Sequence, residues 1–97
     1  MKSYDFSQVL LTLNNLEIRD ESGPMSCGKL MANQIANQTS GPIVKLVLWS
    51  RELWEKNKVT VSDEDRAFLA AMIENNMNGI TVYLKAQLLE CLEKQTQ

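Results

Sequence analysis

Apolar and polar residues alternate along the early part of the chain. Val9, Leu11 and Leu13 fall on one side of an extended backbone, with Gln8, Leu10 and Thr12 on the other. After Asn14-Asn15, Leu16 and Ile18 alternate with Glu17 and Arg19. Asparagine tolerates the positive φ of a tight hairpin turn, so this spacing predicts a β-hairpin over about residues 8–20. A lone hairpin is only marginally stable in water, so its apolar side needs a surface to dock on. Glu21-Ser22-Gly23-Pro24 ends the run, because proline cannot donate to a ladder.

Beyond the hairpin the period changes from two to 3.6, and four helices are expected at about 26–37, 43–56, 62–74 and 80–94. Ser26 is placed to cap the first, whose inner side would be Cys27, Leu30, Met31 and Ile35; Gly28 weakens its first turn by roughly 1 kcal/mol. Gln38-Thr39-Ser40-Gly41 links it to the second, which opens after Pro42. There Ile43, Leu46, Val47, Ser50, Leu53 and Trp54 form one stripe, and Glu52 and Lys56 are an i, i+4 pair. Val44, Leu48 and Trp49 lie off that stripe, so this helix is apolar over more than half its circumference. Such a helix either sits centrally or faces a partner.

Asn57-Lys58-Val59-Thr60-Val61 reads as an extended connector. Ser62 then caps the third helix, and Asp65 is spaced to reach back and complete a capping box. Phe68, Leu69, Met72 and Ile73 point inward before a break at Asn75–Gly79. In the last helix Ile80, Leu84, Leu88, Cys91 and Leu92 share a face, with Val82 and Leu89 outside it. Gln95-Thr96-Gln97 is expected to fray. The fold class that results is α+β, mostly α, as a single small domain in which an N-terminal β-hairpin packs on three or four helices.

Composition narrows the function more than it defines it. The 97 residues include no histidine, which removes the commonest general base and metal ligand together. No glycine-rich phosphate loop, nucleophile elbow or metal-ligand spacing occurs, so neither a catalytic residue nor a cofactor or metal is expected. Asp63-Glu64-Asp65 lacks the EF-hand spacing and is better explained as acids at a helix N-terminus. Cys27 and Cys91 are far apart in sequence and belong to no C-x-x-C pair, which favours two inert, reduced thiols. A helix–turn–helix around Gly41 would leave Lys45 and Arg51 as the cations of its reading helix, and the net charge is −2; both argue against nucleic acid. No stretch has the length and apolarity of a membrane span, and the first residues lack the apolar core of a signal peptide.

Tyr4-Asp5-Phe6, the turn sequence Leu13-Asn14-Asn15-Leu16-Glu17-Ile18, Gly28-Lys29-Leu30, and Val82-Tyr83-Leu84-Lys85-Ala86-Gln87-Leu88-Leu89-Glu90 together resemble small accessory proteins of bacteriophages and prophages. The likeness departs at the turn, where Asn15 replaces the more usual glycine. The resemblance implies a small accessory protein in the cytoplasm of a bacterial host. It carries over no catalytic residue and no ligand.

These lines converge on a non-enzymatic interaction or assembly protein of a phage-like element. Its expected partners are a second copy of itself, another protein, or both, with no membrane. Val44, Leu48, Trp49, Val82 and Leu89 are the expected interface residues, with Trp49 as the anchor because indoles are favoured at hot spots. The alternative is a small regulator that binds nucleic acid or inhibits a host protein.

Overall fold

A computed structural model describes residues 1–77 and 79–96. Asn78, within the expected break, and Gln97, in the expected frayed tail, lie outside the described residues. The elements run β1 (Lys2–Asp5), β2 (Arg19–Asp20), β3 (Gly23–Pro24), α1 (Cys27–Ala36), α2 (Ile43–Lys56), β4 (Lys58–Val61), α3 (Asp63–Asn75), α4 (Val82–Cys91) and β5 (Gln95–Thr96). The class is α+β with small antiparallel sheets.

Local chemistry accounts for the helix ends. Ser26 Oγ accepts from the Lys29 N–H at 3.1 Å, and Ser62 Oγ from the Asp65 N–H at 3.2 Å. Thr81 caps α4 in the same way through the Leu84 N–H. The capping box at α3 is only half formed. The Asp65 carboxylate turns instead to Lys45 on α2, at 3.2 and 3.3 Å, since a cation competes well with a backbone N–H for a carboxylate.

The strands are where the fold departs from the sequence expectation. The segment expected to form a regular hairpin over 8–20 keeps its turn: Asn15 has φ 62°, its N–H donates to Thr12 O, and the Leu16 N–H donates to Thr12 Oγ1. The flanking residues, however, make an isolated bridge between Leu11 and Glu17 and the backbone bonds Thr12 N–H to Leu16 O and Ile18 N–H to Leu10 O, without extending into a regular ladder. The segment folds into a three-way backbone exchange in which Leu10 donates to Met25, Met25 to Ile18 and Ile18 to Leu10. Gly23-Pro24 does not end the pairing; it forms β3 opposite β2, an arrangement that leaves the proline's missing donor unneeded. The Gln87 side-chain amide on α4 accepts from the Leu11 N–H and donates to the Leu11 carbonyl, both at 3.0 Å, and so replaces a strand partner there.

The main sheet has the order β4-β1-β5, all antiparallel. The connector at 58–61 is its edge strand, with Val59 and Val61 buried, and Gln95–Thr96 pairs on the other side of β1 rather than fraying. Both pairings join residues distant in sequence, which local periodicity does not register. Buried Tyr4 lies opposite buried Val59. The Arg66 guanidinium sits 5.6 Å from the Tyr4 ring centre while its Nε donates to Leu92 O at 2.7 Å, binding α3, the end of α4 and β1 together.

The core is one cluster of buried residues drawn from β1, the following loop, every helix and β4. Its tightest approach is between the start of α1 and the end of α2. Asn57 ends α2 in the left-handed conformation (φ 53°, ψ 36°), its Oδ1 accepts from Ser26 Oγ at 2.7 Å, and its carbonyl accepts from the Phe6 N–H at 2.8 Å. Gly28 lies against this corner: a Cβ there would come within 2.5 Å of Asn57 Oδ1 and 3.0 Å of the Leu53 carbonyl.

Gly28→Ala should therefore destabilise the protein by about 1–3 kcal/mol, because the clash outweighs the roughly 1 kcal/mol gain in helix propensity. Urea unfolding of the two proteins measures the sign, and a more stable variant would refute the close approach. Ser62→Ala should lower stability by about 1 kcal/mol through loss of the α3 cap. An unchanged midpoint would mean that the cap contributes nothing.

Candidate protein–protein interface

The candidate surface is set by how α2 is rotated. Leu46, Trp49 and Leu53 are its buried residues, an i, i+3, i+7 set facing the core. Periodicity puts Ile43, Leu46, Val47, Ser50, Leu53 and Trp54 on the inner stripe; Leu46 and Leu53 are buried as expected, but the centre of the buried face is turned from that of the stripe by roughly 70° at 100° per residue. Glu52 explains the rotation. It is not a surface partner of Lys56 but receives the Thr60 N–H at 3.0 Å on Oε1 and the Thr60 hydroxyl at 3.1 Å on Oε2. Thr60 Oγ1 also lies 2.8 Å from Ser3 Oγ, so a line of polar contacts runs from α2 through β4 to β1. With Glu52 held against the strand and Leu46, Trp49 and Leu53 in the core, the remaining arc of α2 faces outward.

This rotation separates the expected interface residues. Val44 and Leu48 are 74 % and 58 % exposed, as an interface requires. Trp49 is corrected: at 6 % exposure it belongs to the core, its ring 6.2 Å from that of Phe68 on α3. Trp54, placed inward by its spacing, is instead 53 % exposed, with Lys29 Nζ 5.9 Å from its ring centre. On α4, Val82 is exposed, whereas Leu89 is half-buried and packs against the core. Phe68, also expected inside, stays partly exposed at the rim of the core.

What emerges is an apolar stripe along α2 made of Ile43, Val44, Val47, Leu48 and Trp54, with Arg51 within it. Beside it, two clefts run along the α1–α2 seam. One, of ≈ 320 Å³, is lined by Ile35, Ile43 and Val47 among others, and one, of ≈ 220 Å³, by Ala32 and Trp54. Ala36 and Ser50 line both, so the clefts adjoin over small side chains. Leu13 and Leu16, at the tip of the Asn14-Asn15 turn, are further exposed apolar groups that alternation alone assigns to a docked face.

Neither a metal-binding group of three or more His, Cys, Asp or Glu nor a buried side-chain polar atom without a hydrogen-bond partner occurs among the described residues. No described helix is long and apolar enough to cross a membrane. Asp63 pairs with Lys2 at 3.6 Å across two exposed side chains, and Asp65 with Lys45, so two of the three acids at the start of α3 have cationic partners. No protein-family model, no curated protein and no solved structure matches this chain.

The two cysteines, distant in sequence, are both free and wholly buried in the same core cluster. Their mutual influence holds the Cys27 thiol below its usual range and, together with burial, pushes the Cys91 thiol far above it.

Neither thiol should react quickly with a bulky alkylating reagent while the chain is folded, and both should react fully in denaturant. Timed labelling with mass readout tests this; rapid native labelling of Cys91 would mean that the end of α4 does not bury it.

Proposed function

We propose that this protein acts through protein–protein contact and that α2 is its contact surface, first of all with a second copy of the same chain. The supporting observation is the stripe Ile43, Val44, Val47, Leu48 and Trp54, five large apolar side chains each at least 42 % exposed on one arc of one helix. Soluble monomers rarely leave contiguous apolar patches of more than a few hundred Å² in water. A two-fold axis across α2 lays each stripe on its copy and removes both from solvent, with Trp54 in the anchoring role that indoles favour.

The same surface offers little to a nucleic acid. A base-stacking or phosphate-tracking face combines several aromatic groups with several cations, and this arc has one aromatic ring, Trp54, with Arg51 and the neighbouring Lys29 among aliphatic residues. A role as an accessory or assembly protein of a phage-like element rests on the sequence resemblance and agrees with a small chain whose conspicuous surface feature is a helix face.

Sedimentation at micromolar concentration is expected to give a dimer. Leu48→Glu and Val44→Glu should return it to monomer with helix content unchanged, since both side chains already stand in solvent in the single chain. Trp49→Glu would instead unfold the protein, because that ring is in the core. A wild-type protein that stays monomeric at every concentration tested overturns the proposal.

A further inference from the structure

A third cleft, of ≈ 340 Å³, opens where β1, the start of α3 and the link from α4 to β5 meet, and it shares no lining residue with the two along the α1–α2 seam. Four charged side chains line it: Lys2 on β1, Asp63 and Arg66 on α3, and Glu93 just after α4. Lys2 and Asp63 answer each other at 3.6 Å. Arg66 and Glu93 have opposite charges and share the cleft, yet among the described residues neither has an ion-pair partner. Arg66 is nonetheless fixed in place. Its guanidinium lies 5.6 Å from the centre of the buried Tyr4 ring, and its Nε donates to Leu92 O at 2.7 Å. Neither contact uses the terminal nitrogens, so a half-buried arginine is held from behind while its outer N–H groups have no acceptor among the described residues.

We propose that this cleft binds a small zwitterion of the amino-acid class, a molecule with a carboxylate at one end and an ammonium at the other. The terminal nitrogens of Arg66 take the carboxylate, because the planar fork of a guanidinium matches its two oxygens. The Glu93 carboxylate takes the ammonium. Arg66 is prepared for this role: the Tyr4 ring and the Leu92 carbonyl already fix the guanidinium, so less side-chain freedom is lost on binding. The charge balance selects the class of ligand. A phosphate or a dicarboxylate meets Asp63 and Glu93 as like charges, and a simple amine meets Arg66 and Lys2. A molecule with one charge of each sign meets a complement at both ends, while Lys2 and Asp63 satisfy each other and add no net charge. The site is independent of self-association through α2, because none of the residues that line it belongs to that helix.

Titration of the isotope-labelled protein at low ionic strength, followed by heteronuclear NMR, tests this. Glycine, β-alanine, γ-aminobutyrate and ε-aminocaproate form a length series, and acetate, methylammonium and inorganic phosphate are controls with charge of one sign. One member of the series is expected to move the Arg66 Nε–H signal and the amides of Leu92 and Glu93. It should bind about three- to fivefold more tightly than acetate, the increment that an exposed carboxylate supplies. Arg66→Lys, which keeps the charge and loses the fork, should weaken binding about tenfold. Glu93→Gln should erase the preference over acetate and leave the thermal midpoint unchanged, since that side chain is exposed. If Arg66→Lys does not fold, the Glu93→Gln comparison decides the matter alone. The proposal is overturned if no member of the series moves those signals, or if any control binds as tightly as the best zwitterion. Retention of the preference in Glu93→Gln, or undiminished binding by folded Arg66→Lys, overturns it equally.

Discussion

The arrangement depends first on the approach of two backbones at one corner. α2 ends with Asn57 in a left-handed conformation, and α1 begins with Ser26 and Gly28 against it. One asparagine side chain there accepts the Ser26 hydroxyl, one carbonyl accepts the Phe6 N–H, and the Phe6 carbonyl in turn accepts the Gly28 N–H. Three stretches of chain therefore meet with their backbone groups paired. A side chain at position 28 would force them apart, and the reversal at Asn57 sends the chain back as β4 along the helix just completed. From that reversal follow the position of Thr60 under Glu52, the rotation of α2, and hence which of its apolar residues stay in water.

Helices were the legible part of this sequence because their determinants are local. Ser26, Pro42 and Ser62 sit within a residue of the observed starts, and the apolar spacing inside each helix needs no distant information. The strands depend on partners far away. Ser3 meets Thr60 across 57 positions and Thr96 across 93, so nothing near Lys2–Asp5 or Gln95–Thr96 marks them as paired. The outer face of α2 was legible as an excess of apolar residues, with Val44 and Leu48 exposed as their spacing implies but Trp49 and Trp54 exchanged. A helix apolar over more than half its girth can be rotated without changing its periodicity, and the choice is made by a glutamate reaching a strand that local pattern reads as a connector. The same lack of long-range information hides that Cys27 and Cys91 share one core cluster.

Buried polar groups serve pairing rather than chemistry. Gln87 fills out the backbone of Leu11, and Ser26 caps one helix while donating to the end of another. Each is satisfied by partners that a hydrophobic substitute would leave unpaired, which explains why a small core tolerates them. The chain has no histidine, and both of its thiols are buried in the core cluster.

The position of β1 also bears on synthesis. It is the central strand of its sheet and the first of the three to leave the ribosome, yet one neighbour follows Ser3 by 57 residues and the other by 93. At about 5–20 residues per second, β1 waits several seconds with both edges bare. During that interval α1 and α2 can already collapse on each other, since both precede β4. The sheet is then completed onto a preformed helical pair, and the nascent strand is guarded against wrong pairing chiefly by its shortness and by the charges of Lys2 and Asp5.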